Sequence, residues 1–266
     1  MVYRLFALTV VAGLISSIAL AQTGNAMLDG TRTSAPAAAQ APGITPVPLT
    51  VEQRGDILMA RKMYREAIDT FREGSPKDPV LLNKEGIAYH QLTQLDSAKK
   101  AYEQAIKLKP DYVEALNNLG TVYYATHSYR RAISWYEKAL KIAPDQPRSA
   151  SIYMNLGTAW FARKKYQQAT ASYRTALKLD PEVFEHHSSF GVMLEEHTVQ
   201  ERAKYHYYVA RLYAQSGNSE LALQYLRKAL EEGFKDKAKM AKDPEFATIR
   251  DLPEFKQLMA LEPRVL

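Results

Sequence analysis

The chain has 266 residues, 46% of them hydrophobic, with 35 cationic side chains against 29 acidic ones and a formal net charge of +6. It contains no cysteine, which excludes disulfides, thiolate zinc sites, a cysteine nucleophile and a lipid-bearing cysteine together. The basic clusters Lys99-Lys100, Arg130-Arg131 and Arg163-Lys164-Lys165 stand beside turns without an aromatic-plus-basic module, so they read as solvated helix ends and no nucleic-acid partner is expected.

Residues 1–21 have the order of a signal peptide. Arg4 supplies the positive start, Leu5 to Leu20 the apolar run, and Ala19-Leu20-Ala21 a small-residue cleavage site before Gln22. The run is short for a membrane span, which needs about 20 apolar residues. The expectation is an exported chain, periplasmic or secreted; an uncleaved segment would instead anchor it to the inner membrane. Residues 22–48 are rich in Ala, Pro, Gly, Thr and Ser and have almost no large apolar side chain. Such a segment cannot bury enough surface to offset its ordering entropy, and it reads as a disordered Ala/Pro-rich tether.

From residue 49 the apolar positions recur at helical spacing and in pairs: about 49–62 with 64–75, 79–92 with 95–108, 112–125 with 129–142, and 148–163 with 166–179. The third pair carries Gly120, Ala132, Tyr136, Ala139 and Pro144. The small residues leave room where two helices cross closely, the tyrosine fills the space beside them, and the proline stops the second helix. The same constellation appears 34 residues earlier at Gly86, Ala98, Tyr102, Ala105 and Pro110, and 37 residues later at Gly157, Ala169, Tyr173, Ala176 and Pro181. Gly55, Ala67, Phe71, Gly74 and Pro79 match a further 31 residues upstream of Gly86.

This recurring unit resembles the tetratricopeptide repeat, a helix–turn–helix of that period. The resemblance implies an all-α fold: a right-handed α-solenoid of about five to six units over 49–233, closed by a C-terminal helical cap over 234–266. It also implies a first pair that is the looser end, since Arg54 and Glu85 replace the apolar residue that Leu119 and Leu156 supply before the glycine. After Pro181, helices are expected at about 182–196, 199–216 and 219–232. Two repeat frames compete there, one through Gly191, Ala203 and Tyr207, the other through Ala210, Tyr213, Gly217, Ala222, Leu226 and Ala229. In the cap, Asp243-Pro244-Glu245 and Asp251-Leu252-Pro253-Glu254 both have the form of a helix start.

No phosphate loop, metalloprotease, nucleophile-elbow or EF-hand motif is present in the sequence. The cluster His186-His187, Glu195-Glu196, His197 and His206 is the strongest metal candidate. On one helix His186 and His197 would stand roughly 16 Å apart, too far for one ion. No metal, cofactor or catalytic residue is expected, and the chain reads as a non-enzyme.

The resemblance places the functional surface in a concave groove lined by the first helix of each pair. Counted from each glycine, the groove positions are Asn83, Lys84 and His90; Asn117, Asn118, Thr121 and Tyr124; Asn155, Thr158 and Phe161, with Gln53 in the first pair. Asn118 and Asn155 resemble the asparagine ladder by which some relatives hold an extended peptide, since a side-chain amide both donates and accepts. Lys84 and Gln53 interrupt that run. His90, Tyr124 and Phe161 form a row that could supply apolar pockets. The family's chaperone-tail clamp is not reproduced by Lys84, Asn118 and Asn155. The implied function is a non-catalytic protein–protein interaction scaffold of the cell envelope, binding a peptide or protein partner in the groove. The alternative is a membrane-surface or envelope assembly factor held by its N-terminal segment. Oligomeric state is not legible.

Overall fold

The computed structural model describes residues 48–185 and 198–260. Residues 1–21, expected to be a signal peptide, nearly all of the expected tether, most of the helix expected at 182–196, and His186, His187 and His197 lie outside the described residues. Among the described residues every regular element is helical. Helices α1 (Val51–Ala60) and α2 (Tyr64–Arg72) form the first pair, α3 (Pro79–Gln91) and α4 (Leu95–Leu108) the second. Helices α5 (Val113–Ala125) and α6 (Tyr129–Ile142) form the third, α7 (Ser149–Ala162) and α8 (Tyr166–Leu179) the fourth.

Three-residue turns join the helices within these pairs, and each turn places one residue in the left-handed region: Lys62, Thr93, His127 and Lys164, with φ of 59°, 58°, 55° and 60°. The glycine–aromatic pairing is the reason the two helices of a pair can touch. A Cβ at Gly120 would stand 2.6 Å from Tyr136 Cε1, and one at Gly86 or Gly157 would stand 2.5 Å from the ring of Tyr102 or Tyr173. Those rings are fully buried, so they cannot swing aside, and only glycine lets them lie flat on the first helix.

First and second helices bury different fractions of themselves. Helix α5 buries nine residues, from Val113 to Tyr124, whereas α6 buries Ala132, Ile133, Tyr136, Ala139 and Leu140 along one stripe. A first helix packs on its own second helix and on the second helix of the preceding pair. It is therefore covered on two sides, while the second helix keeps an open face.

After Pro181 the chain makes a turn through Glu185 where a helix start is expected. Helix α9 (Val199–Gln215), opened by a Thr198–Glu201 capping box, then packs on α10 (Ser219–Glu231). Ala210, Tyr213, Ala222, Leu226 and Ala229 are all buried between them, and Gly217 turns the chain at φ 82°. The frame through Ala210 is the one that builds this pair. Tyr207, from the competing frame, packs instead on the cap: Phe234 stacks on it at 4.5 Å. The cap comprises α11 (Lys237–Lys242), a 3-10 turn at Pro244–Phe246 and α12 (Pro253–Ala260). Asp243-Pro244-Glu245 thus opens one short turn, and only the second expected start opens a helix. Phe246, Ile249, Phe255 and Leu258 are buried in the cluster that also holds Ala210 and Leu226.

Candidate functional site

The first helices carry a polar seam that runs from pair to pair. Asn155 Nδ2 donates to Asn117 Oδ1 (3.1 Å), Asn117 Nδ2 to Asn118 Oδ1 (3.4 Å), and Asn118 Nδ2 to Asn83 Oδ1 (3.0 Å). Asn83 Nδ2 then reaches the Tyr112 hydroxyl at 3.5 Å. Lys84 continues the line onto α1, with Nζ 2.6 Å from Asp56 Oδ1 and 3.2 Å from Glu52 Oε1. The register is regular. Lys84, Asn118 and Asn155 stand two residues before their glycines, and each reaches the residue three before the preceding glycine: Glu52, Asn83 and Asn117. Lys84, which interrupts the asparagine run in the sequence, is therefore a link of the same seam with an ion pair in place of an amide pair.

The seam lies inside the packing. Asn117, Asn118 and Asn155 are 2%, 5% and 0% exposed, so their amides meet one another rather than an open surface. Each bond contributes about 1 kcal/mol net, and leaving a buried partner unpaired costs about 1–3 kcal/mol. Thr121 and Thr158 serve the same interior: their hydroxyls accept from Tyr136 (3.4 Å) and Tyr173 (3.2 Å) and donate to the carbonyls of Asn117 and Met154. Burial pushes both phenols above the usual tyrosine range.

The expected apolar row divides. Tyr124 is buried against Tyr129, ring centroids 5.2 Å apart, and Phe161 is buried among Tyr166, Tyr205 and Tyr208. His90 is half-buried, and that burial lowers its pKa, so it is neutral at pH 7. Gln53 closes a capping box with Thr50 at the start of α1. Of the ten expected groove residues, Lys84, His90 and Thr121 keep part of their surface open; the other seven are buried.

Among the described residues the seam is traced as far as Asn155 in the fourth pair. The residue two before Ala210 is Tyr208, not an amide, and it stacks on Tyr166 of α8 with centroids 5.4 Å apart and planes 14° from parallel. Lys204 Nζ lies 3.7 Å from the Tyr166 ring centre, and the Arg211 guanidinium 5.4 Å from that of Tyr208. Between α8 and α9, Tyr166, Tyr208 and Arg211 leave a cleft of about 310 Å³, lined also by Gln167, Thr170, Ala171 and Arg174, with Lys204 beside it over the Tyr166 ring. Sequence reasoning missed this cleft. The signal that could have shown it is charge: residues 146–179 contain six cations and no carboxylate.

Of the histidine cluster, His206 alone is described. Its Nδ1 lies 2.8 Å from Glu232 Oε2, and Glu232 Oε1 accepts from Arg202 Nε at 3.2 Å. Burial lowers the imidazole pKa further than the nearby Glu232 raises it. Among the described residues no three His, Asp or Glu side chains are grouped to hold a metal ion.

Helix pairs of constant register, a glycine–aromatic crossing in each of the first four, and first helices joined edge to edge define a helical repeat scaffold. The chain is a tetratricopeptide repeat protein: residues 111–182 and 203–232 match tetratricopeptide repeat models, and residues 86–127 match a further TPR repeat model. The uncharacterized protein ycf37 of Guillardia theta is 35% identical over 81 residues, 27% of this chain and 46% of that protein. Its counterpart in Pyropia yezoensis is 46% identical over 43 residues, 16% of this chain and 24% of that one. The chain thus spans less than half the length of either curated relative. Among solved structures, PilF of Pseudomonas aeruginosa superposes with a TM-score of 0.53 at 16% identity, covering 78% of this chain and 86% of PilF. A MamA fragment from Desulfovibrio magneticus gives 0.47 at 20% identity, covering 70% and 94%.

Proposed function

We propose that the chain is a non-catalytic interaction scaffold that receives a peptide or protein partner along the first helices of its repeats. The observation that carries this reading is the seam, which ties α1, α3, α5 and α7 to one another independently of any ligand. Side chains already locked in one geometry lose little further freedom on binding. Lys84, His90 and Thr121 are the members that meet the partner; Asn83, Asn117, Asn118, Tyr124, Asn155, Thr158 and Phe161 form the floor beneath them. Because the floor amides already satisfy one another, affinity comes from side-chain contacts rather than from amide pairing with a peptide backbone. The reading of residues 1–21 as a signal peptide supports a location in the cell envelope.

The test is affinity capture from an envelope extract of the native host, comparing wild type with Lys84→Ala/His90→Ala/Thr121→Ala. A partner held by the wild type and lost by the variant, with an unchanged far-ultraviolet helical signal, supports groove binding. Equal capture by both removes these first-helix positions as the binding surface.

A further inference from the structure

The fourth repeat carries a charge imbalance that the described residues leave open. Arg148, Arg163, Lys164, Lys165, Arg174 and Lys178 fall within residues 146–179 without a single carboxylate, and these six charges equal the net charge of the whole chain. Elsewhere the cations and anions balance, 29 against 29. Arg148 is answered by Glu114 at 2.5 Å. Among the described residues the other five lie beyond ion-pair distance of any carboxylate.

The α8–α9 cleft sits against this stretch. Arg174 on its α8 wall reaches a neutral amide, Gln215 Oε1 at 3.3 Å. Lys204 on the α9 side rests over Tyr166. Arg211 is different in kind, since Asp243 and Glu245 neutralise it. The two tyrosines offer little to a flat ligand: Tyr166 already carries the Tyr208 ring and the Lys204 ammonium, and Tyr208 carries the Tyr166 ring and the Arg211 guanidinium. Charge rather than ring stacking is therefore what the cleft reads, which favours carboxylates over nucleobases. Its 310 Å³ is at the small end of the roughly 300–1,000 Å³ of ligand pockets. That volume suits anchoring side chains, not a folded surface.

The geometry points to a docking site for an acidic peptide segment of a protein partner in the α8–α9 cleft. Arg174 and Lys204 meet carboxylates there, while Arg163, Lys164 and Lys165 at the α7–α8 turn draw the segment in. The site is separate from the first-helix groove and stands or falls without it. Arg174 presents a planar fork that matches a carboxylate with two parallel bonds, and Lys204, held over the Tyr166 ring beside the cleft, adds a point charge.

The experiment is fluorescence anisotropy of the full chain with labelled octaglutamate, and with octaglutamine as the neutral control. The octaglutamate is expected to bind at low ionic strength and the octaglutamine not. Arg174→Glu/Lys204→Glu is expected to weaken binding by roughly tenfold or more, while Arg130→Glu/Arg131→Glu, the same charge change in the third repeat, moves it by less than about twofold. Arg174→Gln/Lys204→Gln keeps long side chains over the tyrosines and is expected to lose affinity in the same direction with an unchanged helical signal. No binding of octaglutamate by the wild type would overturn the proposal. So would equal losses in Arg174→Glu/Lys204→Glu and Arg130→Glu/Arg131→Glu, which would mark a general field rather than a site. Tighter binding of a single-stranded oligonucleotide or of phosphatidylglycerol vesicles, lost in the Gln variant, would overturn the assignment to a peptide.

Discussion

Asn118 holds the middle of the seam, donating to Asn83 and accepting from Asn117 in surroundings that exclude water. Truncating it to alanine leaves Asn83 Oδ1 and Asn117 Nδ2 without their partner. Asn118→Ala is therefore expected to lower stability by about 1–3 kcal/mol. Lys84→Ala removes a link at the same register, but Asp56 and Glu52 are nearly half exposed, and water takes over; its cost stays within about 1 kcal/mol. Urea midpoints of the two variants decide this, and equal shifts would show that the amides carry no structural weight. The sequence marks Asn118 and Asn155 as groove amides resembling a ladder that holds an extended peptide. It does not reveal that their partners are Asn83 and Asn117, 35 and 38 residues away. That pairing depends on how successive first helices lie against one another, and the extra residues at Gln146-Pro147-Arg148 shift the spacing between two of them.

At the scale of the element, the period alone located the first eight helices, because a glycine, an aromatic residue and a proline at fixed offsets leave the chain one way to fold back. Legibility ended at α9. Ala203 and Tyr207 on one side and Ala210 and Tyr213 on the other are all buried, since α9 packs on α10 and also on the turn at Pro244–Phe246. A helix covered on several sides shows two stripes, and no pattern says which faces a repeat partner. The cap is fixed to α9 by Asp243, which accepts from the Tyr207 hydroxyl and lies 3.1 Å from Arg211 Nε. Burial alone would raise the Asp243 carboxyl; hydrogen bonding with Glu245 and Tyr207 and the charge of Arg211 outweigh it and hold the pKa below the usual value. A depressed pKa stabilises the fold fully above the unfolded value of about 3.9, and that contribution disappears as pH falls through the lower folded value. Asp243→Asn is thus expected to lower the thermal midpoint at neutral pH and to approach the wild type as pH falls through the lowered folded value. A gap between the two proteins that does not change with pH would remove Asp243 as the acid-sensitive link.

Across the described repeats, contacts pass mainly between neighbours, so stability is a sum of local terms and need not be even. Two large clusters of buried side chains run from Leu82 to Ala159 and from Ala150 to Leu258, whereas the first pair has the small cluster of Ala67, Phe71 and Leu81. Helix α1 buries Gly55 alone, and Leu49, Ile57 and Met63 around it are 52%, 39% and 38% exposed. Its charged ties, Lys84 with Asp56 and Arg54 with Glu73, sit near the surface, where an ion pair contributes about 0–1 kcal/mol. The Arg54 and Glu85 that replace apolar residues before the glycine account for this thin core. Hydrogen exchange is therefore expected to show α1 and α2 opening at lower free energy than α5, with amide protection at least about tenfold weaker. Since α1 joins the seam only through the Lys84 ion pairs and the amide bonds run between α3, α5 and α7, that opening leaves the amide floor of the proposed groove intact. Protection of α1 equal to that of α5 would mean that something beyond the described contacts covers its apolar face. Capture experiments on the groove would then have to be read with that covering in place.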